Sequence, residues 1–485
     1  MRYTSTRNNN VNISGTLGIV KGISEDGGLF LPQEFPKIDI NDFKNLSYQE
    51  IAKKVLGLYF PEIPNEDLEK IVNNYNIKFE NPEEITPIKT FDNISFLELF
   101  HGPTSSFKDM ALTLLPGLMR IAYDINDITD RLLILTATSG DTGSAALEGF
   151  KNQDRTEIAV FYPDGGVSDI QKLQMELSDG GNASVLSISG NFDDAQRSVK
   201  EAFADEEIKE ICIINKKNLG SANSINIARL ISQIPYYIYS YVTLLKRGII
   251  QEDEKIDIVV PTGNFGDILA GLYAKFMGVP IENAICASNS NDVLTEFFNT
   301  GVYNANRDFL KTLTPSMDIL ISSNLERFLY TISKNNSDEI DLIYKELKEK
   351  GSFKFSKDLP NYIKGISVDD TRTKEAIKEV FEKHGYLIDP HTAVAYEGVS
   401  LAKNHALVVS TASPYKFPNA ILEAFGIEIE GNLEDKINKV YAYTNSKTPL
   451  AIKNMLTKEI KTKEPLEIGE IKDKVIEILE RENED

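Results

Sequence analysis

A single lysine, Lys108, stands between Phe107 and Asp109 in the stretch ELFHGPTSSFKDMALTLLP, Glu98 to Pro116. Gly102, Pro103, Thr104, Ser105 and Ser106 precede it, a small and hydroxylated run, and the apolar residues Met110 to Leu115 follow. The pattern predicts a strand, a roomy loop and a helix that begins at the lysine. An ammonium group there has the wrong sign, because the N-terminal end of a helix dipole favours anions. The same field favours the free amine, which is the form that condenses with an aldehyde cofactor. On position alone, an ordinary solvent-exposed lysine is the commoner explanation.

Other loops have similar composition. TATSGDTGSAAL (Thr136 to Leu147) places small and hydroxylated residues between a strand and a helix, where backbone amides can form an anion-binding nest. It lacks the GK[ST] ending of a nucleotide-binding P-loop, and a plain glycine turn also accounts for it. VVPTGNFGDILAG (Val259 to Gly271) repeats the order of strand, glycine loop and helix, and Gly263 and Gly266 allow N–H groups to approach a phosphate closely. VVSTASPYKF (Val408 to Phe417) ends a late strand in hydroxyls, or is simply a turn at Pro414.

These loops must be held by a scaffold, and the chain is long enough for one. Its 485 residues are 41% hydrophobic and 26% charged, an ordinary globular composition that can bury a large core without a metal or disulfide staple. The formal charge of −21 argues against a nucleic-acid surface, which would be basic. It also means that an anionic ligand needs a local cluster of cations or backbone amides, since the field of the whole chain repels it. With 2 cysteines and 4 scattered histidines, no disulfide framework or zinc spacing is expected. No metal site, signal peptide or membrane span is read, so the expected location is the cytoplasm.

The first 84 residues read as mostly helical and acidic, with a glycine-rich turn at Ser24 to Pro32. Beyond the proline-containing stretch Asn81 to Thr90, short β-branched runs alternate with helical ones. Strands are predicted at Asn93–Phe100, Arg131–Thr138, Glu157–Pro163, Ile211–Asn215, Lys255–Pro261, Asn283–Ser288 and His405–Thr411. Helices are predicted at Lys108–Ala122, from Thr142, at Val167–Leu177 and at Asn226–Leu245. Near-continuous apolar strands separated by helices imply βαβ units and open, doubly wound α/β sheets, whose ligands sit beyond the carboxyl ends of the strands. Residues 291–371 read as a helix-rich insertion, and the tail KDKVIEILERENED as an exposed charged helix. The expected division is an N-terminal subdomain, 1–90, an α/β domain carrying Lys108, 91–225, and a second α/β domain, 226–485.

Taken together, FHGPTSSFKD, TSGDTGSA, PTGNFGD and the late STA resemble the threonine synthase family, a branch of the fold-type II enzymes that use pyridoxal phosphate. GLFLP and the wording of ELFHGPTSSFKD resemble its long bacterial and fungal form. The resemblance runs from roughly Tyr3 to Phe417. It implies a tryptophan synthase β-like fold and conversion of O-phospho-L-homoserine and water to L-threonine and phosphate. It implies that Lys108 carries pyridoxal 5'-phosphate as a Schiff base. Gly263, Asn264, Phe265 and Gly266 would cradle the cofactor phosphate, with Asp267 opening the next helix, and Thr411 would meet the pyridine nitrogen. Ser139, Gly140, Asp141 and Thr142 would hold the substrate carboxylate. SANSINIARL (Ser221 to Leu230) matches the family's substrate-phosphate motif at Asn223, Ser224, Asn226 and Arg229. Asn226 and Arg229 are three apart, so they can share one side of a helix start, and an arginine fork suits a phosphate dianion. One departure is Ser413-Pro414, where the family commonly has histidine-proline; Lys416 and Phe417 still follow. The alternatives are another lyase of the same cofactor class, such as a hydroxy-amino-acid dehydratase or a phospholyase, and a non-catalytic phosphate-binding scaffold. The expected assembly is a monomer or homodimer.

Overall fold

The computed structural model of the chain describes residues 1–458 and 464–481. In chain order the strands begin with β1 (Arg2–Ser5), β2 (Asn8–Ser14), β3 (Phe30–Pro32), β4 (Ile88–Phe91) and β5 (Ile94–Glu98). There follow β6 (Arg131–Ala137), β7 (Thr156–Pro163), β8 (Ala183–Ile188) and β9 (Lys217–Gly220). The last are β10 (Ile256–Pro261), β11 (Ile281–Ser288), β12 (Val302–Asn304), β13 (Ser352–Lys354), β14 (Ile363–Ser367) and β15 (His405–Ser410).

Two α/β sheets position the loops of interest. The larger has the order β14-β11-β10-β15-β5-β4 and is parallel except for β4 at its edge. The smaller, β8-β7-β6-β9, is parallel throughout. Every residue of β10 and of β15 is buried, as expected of strands covered by helices on both faces. From β10 the chain returns to β11 on one side, whereas β15 and β5 lie on the other. This reversal opens a crevice at the carboxyl ends of β10 and β15, where ligands of such sheets bind. Strand β5, just before Lys108, pairs with β15, so the sheets interleave along the chain.

Several local expectations change. Ile211–Asn215 is not a strand: it lies at the end of the helix Glu206–Ile214, whose N-cap Asp205 accepts from the Ile208 N–H at 3.1 Å. That cap and the burial of Ile208 and Cys212, one turn apart, outweigh the β-branched run. The strands are instead β9, just beyond it, and β8, which the reading missed. Lys108–Ala122 is two helices, Lys108–Leu112 and Leu115–Ile125, because Pro116 lacks the N–H that would continue the first. The N-terminal segment opens with the antiparallel sheet β2-β1-β3, not with helix. The supposed helical insertion contributes β12, β13 and the edge strand β14. The tail helix, Ile471–Glu480, is not simply exposed: Ile471, Val475, Ile478 and Leu479 bury against the helices flanking the smaller sheet. Residues 482–485 of that tail lie outside the described residues.

Candidate active site

The loops after β5 and β15 are laced together. The Phe107 N–H donates to the Thr411 carbonyl at 2.7 Å and the Ser413 N–H to the Ser105 carbonyl at 3.1 Å. Ser105 is held in the left-handed region, φ 57°, which turns the chain so that Lys108 enters the crevice. Asp109 braces this turn, accepting from the Thr104 N–H at 2.8 Å and from its hydroxyl at 2.6 Å. A side chain at Gly102 would strike the Asp109 carboxylate, at 2.6 Å. Burial pushes the Asp109 carboxyl up to about 6, against the hydrogen bonds from Thr104. Thus Thr411 and Lys108, far apart in sequence, are neighbours through backbone.

Lys108 is nearly enclosed, its side chain 12% exposed, and it is not the solvated lysine of the simpler reading. Its Nζ lies 3.4 Å from Asp141 Oδ2 and 4.8 Å from the centre of the Phe107 ring. Burial lowers its pKa; Asp141 works against this, while Lys416 and Arg229 lower it further.

Asp141 opens the helix Asp141–Phe150, which follows β6. The N-cap residue Gly140 has φ 131°, and no side chain caps the helix among the described residues. A side chain at Gly140 would collide with the amide of Gln171, 2.3 Å away. First-turn N–H groups lack intrahelical partners and point out of the helix, so those of Asp141 and Thr142 are available to an anion. The carboxylate of Asp141 is instead surrounded by donors: Lys416 Nζ at 2.6 Å and Gln171 Nε2 at 2.9 Å on Oδ1, Ser316 Oγ at 3.0 Å and Lys108 on Oδ2. Burial alone would raise its pKa, but Lys416 and Lys108 hold it well below the usual carboxylate range.

The loop after β10 leads into the helix Gly266–Met277. Phe265 precedes it in the left-handed region, φ 63°, and again no side-chain cap is made among the described residues. The first helical bond back to this residue is Leu269 N–H to the Phe265 carbonyl, leaving the N–H groups of Gly266, Asp267 and Ile268 for an anion. Asp267 points beneath the loop, where Tyr236 and Tyr237 donate to its Oδ1 at 2.6 and 2.7 Å. Burial pushes this carboxyl up to about 6, against those hydrogen bonds.

Arg229 lies on the helix Ile227–Ile231 and is 3% exposed. Nη1 donates to the Ala222 carbonyl at 2.8 Å, whereas Nε has no hydrogen-bond partner among the described residues. Burial lowers its pKa to about 10, which leaves it charged at neutral pH. The side chain of Asn226 is engaged within the protein. The Asn226 amide is the N-cap of this helix, accepting from the Ala228 N–H, and donates to the Ile19 carbonyl, both at 3.0 Å. It orients Arg229.

The sequence reading missed a segment inside the presumed helical insertion. Ser322 Oγ donates to the Gly263 carbonyl at 2.8 Å, and the Asn324 N–H to the Asn264 carbonyl at 3.0 Å. Ser323 Oγ lies 3.2 Å from Asn264 Oδ1 and 3.3 Å from Ser224 Oγ, joining the glycine loop to the Asn223–Arg229 segment. Arg327 lies fully buried beneath, bonded to the Phe30 and Ile225 carbonyls at 2.8 and 2.6 Å. The available signal was the run of small polar residues in TPSMDILISSN, Thr314 to Asn324, which is loop-like rather than helical. Gln171 and Lys416 had no local signal, since one lies inside a helix and the other in a proline turn.

Residues 83–411 match a family profile described as "Pyridoxal-phosphate dependent enzyme". With two sheets, one parallel and one parallel but for its edge strand, and a nearly enclosed lysine at the crevice, that match defines a fold-type II enzyme whose cofactor is pyridoxal 5'-phosphate. Residues 2–75 match the profile "Threonine synthase N terminus". Threonine synthase of Schizosaccharomyces pombe is 37% identical over 462 residues, covering 86% of this chain and 88% of that one. The Saccharomyces cerevisiae enzyme is 37% identical over 468 residues, covering 87% and 88%. A crystal structure of PLP-bound threonine synthase from Brucella melitensis superposes with a TM-score of 0.87 at 34% identity, covering 99% of this chain and 100% of that one. The chain belongs to the threonine synthase family.

The residues present fit the cofactor. An uncapped helix start beside two glycines offers N–H donors to a phosphate, and a nearly enclosed, pKa-lowered lysine offers an amine to an aldehyde. Among the described residues no helix is long and apolar enough to cross a membrane.

Proposed function

We propose that this chain converts O-phospho-L-homoserine and water to L-threonine and phosphate. The observation that carries the reading is a second anion site, apart from the glycine loop: buried Arg229, its Nε unpartnered among the described residues, with Ser224 and Asn223 close by in sequence. One phosphate, the cofactor's, needs one site; a phosphorylated substrate needs another.

Gly263, Asn264, Phe265, Gly266 and Asp267 would hold the cofactor phosphate through backbone N–H groups, Thr411 would meet the ring nitrogen, and Lys108 would bind the aldehyde carbon. When bound, the pyridoxal ring supplies an electron sink for charge that develops on the substrate carbon skeleton. The Ser139–Thr142 turn holds the substrate carboxylate, chiefly through the N–H groups of Asp141 and Thr142, since that of Gly140 donates to the Thr138 hydroxyl. The free amine of Lys108 takes the proton from the substrate Cα and later returns one there; burial lowers its pKa, the direction that favours the free amine. Arg229, with Asn223 and Ser224, binds the γ-phosphate and neutralises the charge that grows on its oxygen as the bond breaks. Asn226 acts through the helix it caps. Cys212 and Cys286, both buried and unpaired, suit a reducing compartment, and we place the enzyme in the cytoplasm.

The test is incubation of the purified holoprotein with O-phospho-L-homoserine, with threonine and phosphate both quantified. Equal amounts of each are expected. Release of phosphate without threonine, or turnover of serine or threonine in preference, would replace this reading with a phospholyase or a dehydratase.

A further inference from the structure

Lys416 is fully buried, which is costly for a cation without an anionic partner. It stands in the proline turn after β15, where its Nζ meets Asp141 Oδ1 at 2.6 Å and the Thr104 carbonyl at 2.9 Å. Gln174 Nε2 also donates to that carbonyl at 2.9 Å, so the turn before Lys108 and the buried ammonium are fixed together. Asp141 therefore has two lysines, and they are not equivalent. Lys416 is close and enclosed; Lys108 is more distant, at 3.4 Å, and lies on the other oxygen, shared with Ser316.

We propose that Lys416 is the permanent counter-cation of Asp141, and that by neutralising this carboxylate it leaves the Lys108 nitrogen free to shed its proton and do chemistry. Without it, Asp141 would be a buried carboxylate with Lys108 as its only cation, and that ion pair would lock Lys108 as an ammonium. With it, the Asp141–Lys416 pair is neutral whether or not Lys108 is charged. The pair also cancels a negative charge at the very helix start where the substrate carboxylate is proposed to dock. Lys416 is thus a positioning residue that acts through Asp141. The inference rests on the reading of Lys108 as the cofactor-binding amine.

The charged groups that act on Lys108 come from separate elements: Asp141 from the helix after β6, Lys416 from the turn after β15, Arg229 from the helix Ile227–Ile231, and Asp267 from the helix after β10. Asp109 faces Lys416 from the Lys108 helix itself. Of these, Asp141 and Lys416 form the pair that can be removed together without changing the net charge.

The experiment is a pH titration of the bound cofactor's visible absorption in the holoprotein, which follows the proton on the Lys108 nitrogen. Lys416→Met should raise the midpoint by about one pH unit, since Asp141 then pairs with that nitrogen alone. Adding Asp141→Asn to Lys416→Met should bring the midpoint back down, a reversal that general loss of packing does not produce. Should Lys416→Met fail to fold, the comparison is Asp141→Asn against the Asp141→Asn/Lys416→Met double variant. There, removing the unneutralised ammonium should raise the midpoint and increase the melting temperature. A midpoint indifferent to Lys416 in both backgrounds overturns the proposal. If instead the wild type takes up no visible absorption, or Lys108→Ala retains it, the assignment of Lys108 itself has failed, and the two failures are told apart.

Discussion

Two helix starts in this molecule look alike in sequence and differ in chemistry. The loops before Asp141–Phe150 and Gly266–Met277 both place glycine between a buried parallel strand and an uncapped helix. At the second, the local acid, Asp267, is turned under the loop and held by tyrosine hydroxyls, and the rim is hydroxyls and amides from Ser322, Ser323 and Asn264. At the first, the local acid stays in the crevice and gathers two lysines. That start keeps its acid off the rim and presents donors there, which suits a phosphate that stays bound. The ionic start controls a proton. A helix N-terminus is thus a generic anion site, and the side chains packed around it decide its use.

Breaking the ionic start should have the largest effect. Lys108→Ala should abolish turnover and the visible absorption of bound cofactor together, because the neighbouring amine, Lys416, is held by Asp141 and the Thr104 carbonyl; a variant that keeps both would refute the assignment. Next is Arg229→Ala, which removes the second phosphate site but neither helix start. kcat/KM for O-phospho-L-homoserine should fall about 10²-fold, or about 2.7 kcal/mol, with the cofactor still bound and its absorption titrating at a higher midpoint, since Arg229 lowers the Lys108 pKa. Unchanged kinetics would separate Arg229 from the substrate.

At the second start, Gly266→Ala should leave folding intact. The added carbon would meet Asn324 Nδ2 at 3.6 Å, an ordinary contact, and the backbone there needs no positive φ. It stands at the helix start, however, so cofactor affinity should drop by about tenfold, or about 1.4 kcal/mol, as read by equilibrium dialysis with an unchanged melting curve. Cofactor retention equal to wild type would remove Gly266 from the phosphate site. The smallest change is expected for Ser323→Ala, which cuts the hydroxyl bridge from Asn264 to Ser224. A loss of about 1 kcal/mol, several-fold in KM, is expected, and no loss would mean that the two phosphate segments are set independently.

Much of the scaffold was legible. The runs Ile256–Pro261 and His405–Ser410 are apolar enough to read as strands covered on both faces, and glycine loops after strands mark helix starts by local rules alone. The smaller elements were less legible. Ile211–Asn215 carries strand-forming residues, yet a capped helix with a buried stripe overrides them. The β14 strand is too short and mixed to stand out until it pairs with β11.

The sequence by itself determined the α/β class and Lys108 as the residue at a helix start, because these depend on side-chain period and turn chemistry over a few neighbouring positions; the family was legible only through the resemblance of its motifs. Only the tertiary structure decided which charges meet. It turned Asn226 into a cap, brought Ser322 to Asn324 up to the glycine loop, and set Lys416 against Asp141. Such contacts join segments that are distant along the chain, and a buried ion pair has no local signature: each lysine looks alike in sequence until folding removes the water around it.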